Sequence, residues 1–141
     1  MPNASGTFQV NSWEEEPYDE ADGAKLSRAS LTKTFHGDLE GTSSAELLVA
    51  IAQESSRAYV GIERIQGRLN ELEGSFVVQH NATGTRGNDR AIVTVVPDSG
   101  TGDFAGLSGT FTICAEDDGS HSYDFAYEMD PARRSPAAAS S

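Results

Sequence analysis

The 141-residue sequence predicts an all-β domain of about eight antiparallel strands, either a closed barrel or a sandwich. Apolar and polar residues alternate with period two along most of the chain, turn signals recur about every 8–15 residues, and no convincing helical period appears. Barrel closure would also remove exposed strand edges.

The first strand is Gly6–Trp13, where Phe8 and Val10 alternate with polar neighbours. Six carboxylates between Glu14 and Asp22 then crowd around Pro17 and Gly23, which reads as a solvated loop; the spacing of a calcium loop is absent. Lys25–Glu40 is a long strand with Ala29, Leu31, Lys33 and Phe35 on one face and Ser30, Thr32, Thr34 and His36 on the other. Lys33 thus lies on the more apolar face, and the simplest account is a strand-end lysine that snorkels to water.

Ser43–Glu54 is ambiguous, because Ser43 and Glu46 form a capping-box pattern before good helix formers while both neighbours are β patterns. In Arg57–Gly67, Ala58, Val60 and Ile62 alternate with Tyr59, Gly61, Glu63 and Ile65, so both faces carry apolar groups and both are expected to be covered. Gly74–His80 repeats the pattern, and Ala91–Pro97 closes at its proline. Glycines 100, 102, 106 and 109 have the wrong spacing for a nucleotide loop and read as a turn. Thr110–Glu116 and Ser122–Glu128 are the last strands, joined by the hairpin signal Asp117-Asp118-Gly119.

Composition narrows the function classes. Twenty-two acidic against ten basic side chains give a net charge of -12, which disfavours nucleic acid. No apolar run approaches the roughly 20 residues that span a bilayer, and the N-terminus lacks a secretory pattern, so neither a membrane nor secretion is expected and the expected location is the cytoplasm. The single Cys114 excludes an internal disulfide and reads as a packed thiol. Val, Ile, Leu and Phe supply 27 residues, all between residues 6 and 130, which leaves that stretch within the range of folded chains.

Several runs carry a resemblance. GTFQVNSWEEEPYD, RASLTKTFHGDLEGTSSAE, YVGIERIQGRLNELEGSFVVQHNATG and VVPDSGTGDFAGLSG resemble, in order and spacing, a bacterial family of small proteins known only as a domain of unknown function. The match covers most of Gly6–Tyr127, and AIAQESS at 50–56 departs from it where a glycine-containing hairpin is more usual. The family's fold is similar to that of plant allene oxide cyclase, an eight-stranded antiparallel barrel that forms trimers and guides cyclisation of a reactive epoxide in an apolar cavity. The resemblance implies a strand at 43–54 and a lipocalin-like calyx. Residues 1–5 are then a flexible N-terminus, 6–130 a single β-barrel domain and 131–141 a disordered tail.

Within a barrel of this size one small ligand fits. Glu63 and His80 are the candidate catalytic groups, each sharing a face with apolar residues; burial would move a carboxyl toward neutral pH, where it serves as acid or base. The plainer alternatives are an ion pair of Glu63, with the neighbourhood of Arg64 or with Lys33, and a hydrogen-bonded core or rim His80. Lys33, Tyr59, Phe76, Tyr123 and Tyr127 are the candidate ligand-binding residues. No spacing forces His36, His80 or His121 to converge, so no metal and no cofactor are expected. The expected function is small-molecule binding, with cofactor-free isomerisation or cyclisation of an apolar substrate. A non-catalytic carrier is one alternative. Another is a barrel filled by Phe35, Phe76, Phe111 and Phe125 that works through partner contacts. Apolar groups on both faces of the strands also predict a homo-oligomer, a dimer or trimer.

Overall fold

A computed structural model of the chain describes residues 2–53, 56–86, 88–115 and 120–130. Eight strands run in chain order around a closed antiparallel barrel: β1 (Asn3–Ala21), β2 (Ala24–Gly37), β3 (Leu39–Ala52), β4 (Arg57–Leu69), β5 (Leu72–Thr85), β6 (Asn88–Val95), β7 (Leu107–Ala115) and β8 (His121–Met129). Every strand pairs with the next, and β1 closes the ring against β8. The period-two pattern sets which side chains enter: Ala29, Leu31, Lys33 and Phe35 of β2 are buried inside, as are Ile65 of β4 and Phe76, Val78 and His80 of β5.

Three expectations of local structure change. The acidic run is no loop: β1 continues through it to Ala21, paired with β2 down to Ala21↔Ala24 across the Asp22-Gly23 turn. Its pairing with β8 ends at Phe8↔His121, so among the described residues Gln9–Ala21 is an edge strand. Carboxylates, Pro17 and register shifts at Val10/Ser12 and Pro17/Asp19 are what keeps an edge from pairing with another chain. At the N-terminus, Asn3–Ser5 are not free but pair with Ala126–Asp124, and Ala4 is buried.

The ambiguous segment lies in a strand, β3. Ser43 points inward and is buried, while Glu46 points outward to Arg28 and Ser30, so the two residues of the apparent capping box lie on opposite faces. Pairing with both β2 and β4 outweighs local helix propensity. Finally, Cys114 is exposed, not packed. The Asp117-Asp118-Gly119 turn and the 131–141 tail lie outside the described residues.

The two ends of the barrel differ. At the base, Leu39, Leu69 and Phe104 are fully buried, the last contributed by a short 3-10 turn, Gly102–Phe104, between β6 and β7. The β3 and β4 backbones approach closely here because Gly41 and Gly67 face each other across them; a Cβ on Gly67 would lie 2.2 Å from the Glu40 carbonyl oxygen. At the other end, the mouth, no pairing of the described residues joins β6 to β7; their pairs Val93↔Phe111 and Thr94↔Thr110 lie lower in the barrel. The rim is therefore carried mainly by the longer strands β1–β5, with His121 of β8 beside Phe8. On the outer wall Leu48 and Val60 are cross-strand partners, and with Ile62 and Ile92 they stay about half exposed.

Candidate functional site

The interior divides into a filled half and an open half. Toward the base, the Phe111 and Phe125 rings stack at 4.0 Å, Phe76 lies 5.9 Å from Phe125 and edge-on to Phe104, and Tyr127 stacks on Phe125. Tyr123 tilts against Phe111, and its hydroxyl accepts from the Leu39 amide at 2.9 Å and reaches the carbonyls of His36 and Leu39. Three residues expected to bind ligand, Phe76, Tyr123 and Tyr127, are thus packed into this plug. The reason is aromatic density: β5, β7 and β8 bring their inward rings to one level and leave no space between them.

Toward the mouth lies a cavity of about 420 Å³, a size within the usual range of small-molecule sites. Leu31, Ala45, Leu47, Val49 and Ile113 form its apolar wall, and Lys33, Tyr59 and His80 line it as expected. Sequence reasoning missed Trp13, Arg57 and His121. Arg57 and His121 were legible, since they share parity with Tyr59 and Tyr123. Trp13 was not: Val10 and Trp13 both line the cavity three residues apart, an offset made by the bulge between Val10 and Ser12.

The floor of the cavity is a buried polar cluster drawn from four consecutive strands. The Glu63 carboxylate of β4 receives His80 Nε2 of β5 at 2.7 Å and Lys33 Nζ of β2 at 3.3 Å, both on Oε1, while Ser43 Oγ of β3 donates to Oε2 at 2.5 Å. Lys33 lies directly opposite Ser43, and Glu63 opposite the small Ala45, which leaves room for the long side chains to cross. Lys33 Nζ also sits 4.7 Å over the Phe8 ring. Far from snorkelling, its side chain is only 8% exposed, because the carboxylate inside the barrel supplies the partner that a buried ammonium requires.

Charge states follow from this geometry. Burial by itself pushes the Glu63 carboxyl up, but the His80 hydrogen bond, the Lys33 charge and the Ser43 hydroxyl together outweigh it and hold the group below its ordinary range. Glu63 is therefore an ionised anchor. The expectation of a carboxyl moved toward neutral pH is corrected, since it took account of burial and not of three donors. Tyr59 moves the other way: burial and then the Glu63 charge raise its phenol, with Arg57 partly opposing, so it remains a neutral O–H donor. An ionised Glu63 fixes the proton of neutral His80 on Nε2. Its other ring nitrogen, Nδ1, is buried and has no hydrogen-bond partner among the described residues.

Among the described residues no three His, Cys, Asp or Glu side chains converge as metal ligands, and no helix is long and apolar enough to cross a membrane.

Comparison with known proteins finds a family and a solved relative. Residues 4–127 match the family model described as a protein of unknown function, DUF3224. The crystal structure of a DUF3224-family protein of unknown function from Shewanella oneidensis MR-1 superposes with a TM-score of 0.81 at 38% sequence identity, over 93% of this chain and 99% of that one. No curated protein matches.

Proposed function

We propose, for a chain that belongs to the DUF3224 family of proteins of unknown function, that the open half of the barrel binds a small, largely apolar molecule and isomerises it without a cofactor by moving one proton through His80. The observation that carries this reading is the unpartnered Nδ1 of His80, a buried acceptor on a cavity-lining residue. A buried lone pair with no donor costs about 1–3 kcal/mol; the atom is closed off from the cavity as the ring stands, so a substrate C–H or O–H meets it, and removes that cost, once the imidazole shifts toward the open half.

Each group then has one task. Glu63 is a positioning residue: it holds the Nε2–H tautomer and stabilises the imidazolium that forms when Nδ1 takes a proton. Lys33 and Ser43 keep Glu63 ionised. Tyr59, its ring centroid 6.3 Å from that of His80, donates its hydroxyl to the oxygen on which negative charge develops. The proton returns from Nδ1 to a different atom of the same substrate, so substrate and product are isomers and no co-reactant is consumed.

The test begins with native mass spectrometry on protein purified gently from its own cells, to find a retained small molecule. That molecule is then incubated in D2O with the wild type and with His80→Gln. Deuterium incorporation by the wild type and none by a His80→Gln protein that still binds is the expected result. Binding without exchange in either protein would refute proton transfer and make the barrel a carrier. A protein that retains nothing and has no affinity for apolar probes would refute the ligand cavity itself. We also propose self-association through the outer wall, for which exposed Leu48, Val60, Ile62 and Ile92 are the support.

A further inference from the structure

Basic and protonatable groups gather at the cavity of an otherwise acidic protein. Among the described residues, the basic or protonatable side chains Lys33, Arg57, His80 and His121 line it, and of the acidic ones Glu15 does. In a chain of net charge -12 this is a local enrichment, and apolar walls strengthen the interaction of each such group with a ligand charge beside it.

The four positive or protonatable groups are not equivalent. At the floor, Lys33 and His80 both address the same Glu63 oxygen, so their charge is balanced within the cluster. At the rim, His121 is stacked on Phe8 at 5.0 Å. Glu15 accepts from the Trp13 indole at 3.1 Å. Arg57 opens β4 beside Tyr59, and among the described residues it forms no ion pair within 4.0 Å. Asp89 is the acidic neighbour: its carboxylate and the Arg57 stem both border Gly84, yet they form no bridge. A planar guanidinium with unfilled donors, set above an apolar well, matches a carboxylate carried on an apolar body.

We infer that the ligand is an organic monoanion, with a carboxylate held at the mouth by Arg57 and an apolar body running down between Leu31, Leu47 and Ile113 toward His80. This rests on the proposed ligand cavity and adds the class of molecule and its orientation. The head lies outward, at the wet rim, because the balanced floor has no net positive charge to offer.

The probes are decanoate and its uncharged analogue decan-1-ol, titrated calorimetrically into the full-length protein below their aggregation concentrations. The wild type is expected to bind decanoate about tenfold or more tighter than decanol. Arg57→Gln should erase most of that ratio while leaving decanol affinity unchanged, and Arg57→Lys should keep part of it. Arg57 is exposed, so circular dichroism should show all three proteins folded. Equal binding of the two probes would overturn the anion assignment while the apolar cavity stands. A preference that survives Arg57→Gln would overturn the role of Arg57. Binding of neither probe would overturn the cavity reading, and this inference with it.

Discussion

Replacing Glu63 by Gln isolates the energetic role of the buried cluster. The substitution keeps the shape and removes the charge, which leaves the Lys33 ammonium inside the barrel with a side chain only 8% exposed. Removing one partner of a buried pair typically costs about 3–5 kcal/mol. The Phe8 ring under Lys33 Nζ offsets part of this, since such a contact is worth about 0.5–2 kcal/mol. Lys33→Met is the milder change: it deletes one rather long charge-assisted bond of 3.3 Å and leaves Glu63 its bonds to His80 and Ser43, for a cost of about 2 kcal/mol. The double variant buries no unbalanced charge and should cost little more than Lys33→Met alone, so the coupling energy is about 2–3 kcal/mol. Urea unfolding followed by circular dichroism measures it. With a slope of about 2 kcal/mol per molar, Glu63→Gln should lower the midpoint by roughly 1.5 M. Costs that simply add, within about 0.5 kcal/mol, would refute a coupled buried pair. Single-variant costs under about 1 kcal/mol each would mean that the pair behaves as if exposed.

Further outcomes follow from the same geometry. Glu63 ionises below its ordinary value of 4.5 when folded, so its contribution is fully present above that pH and lost as pH falls through the lower folded value. In that window acid titration of the wild type should be steeper than that of Glu63→Gln by up to about 1.4 kcal/mol per pH unit. Phe125, fully buried and stacked on Phe111 and Tyr127, should cost about 3–5 kcal/mol on substitution by Ala, read by thermal or urea unfolding; a cost below 1 kcal/mol, the scale of a single methylene, would mean that the base half is not tightly packed. Ile62→Lys, on the outer wall, should leave folding intact and lower the assembly mass measured by light scattering. A mass above one chain that does not change would place any interface elsewhere.

What the sequence made legible, and what it hid, divides along physical lines. Period two placed Lys33, Glu63, Tyr59 and His80 on inward faces, because a strand offers only two directions and one of them must be apolar. It did not reveal that β2, β4 and β5 bring Lys33, Glu63 and His80 to one point, since register between strands depends on the whole ring. The same limit explains Phe76, Tyr123 and Tyr127: their inward direction was readable, but their level along the barrel axis was not, and level decides between plug and cavity. The acidic segment Glu14–Ala21 was misread for another reason. Polarity on both faces normally signals a loop, yet an edge strand with a free side needs no apolar face and gains from charge.

That division bears on the proposed chemistry. A barrel open along its whole length would give a histidine no fixed place, because each side chain would have water as an alternative partner. Here the rings around Phe125 fill the base and the four-residue cluster sits just above them, so Lys33, Ser43 and His80 are held to one carboxylate from three directions. The plug contributes rigidity, and the cluster converts it into a fixed imidazole tautomer at the bottom of an apolar well. Such an arrangement costs desolvation of three ionisable groups, and apolar residues of similar volume would fill the floor at less cost. A floor built this way therefore makes physical sense where a molecule in the cavity uses it.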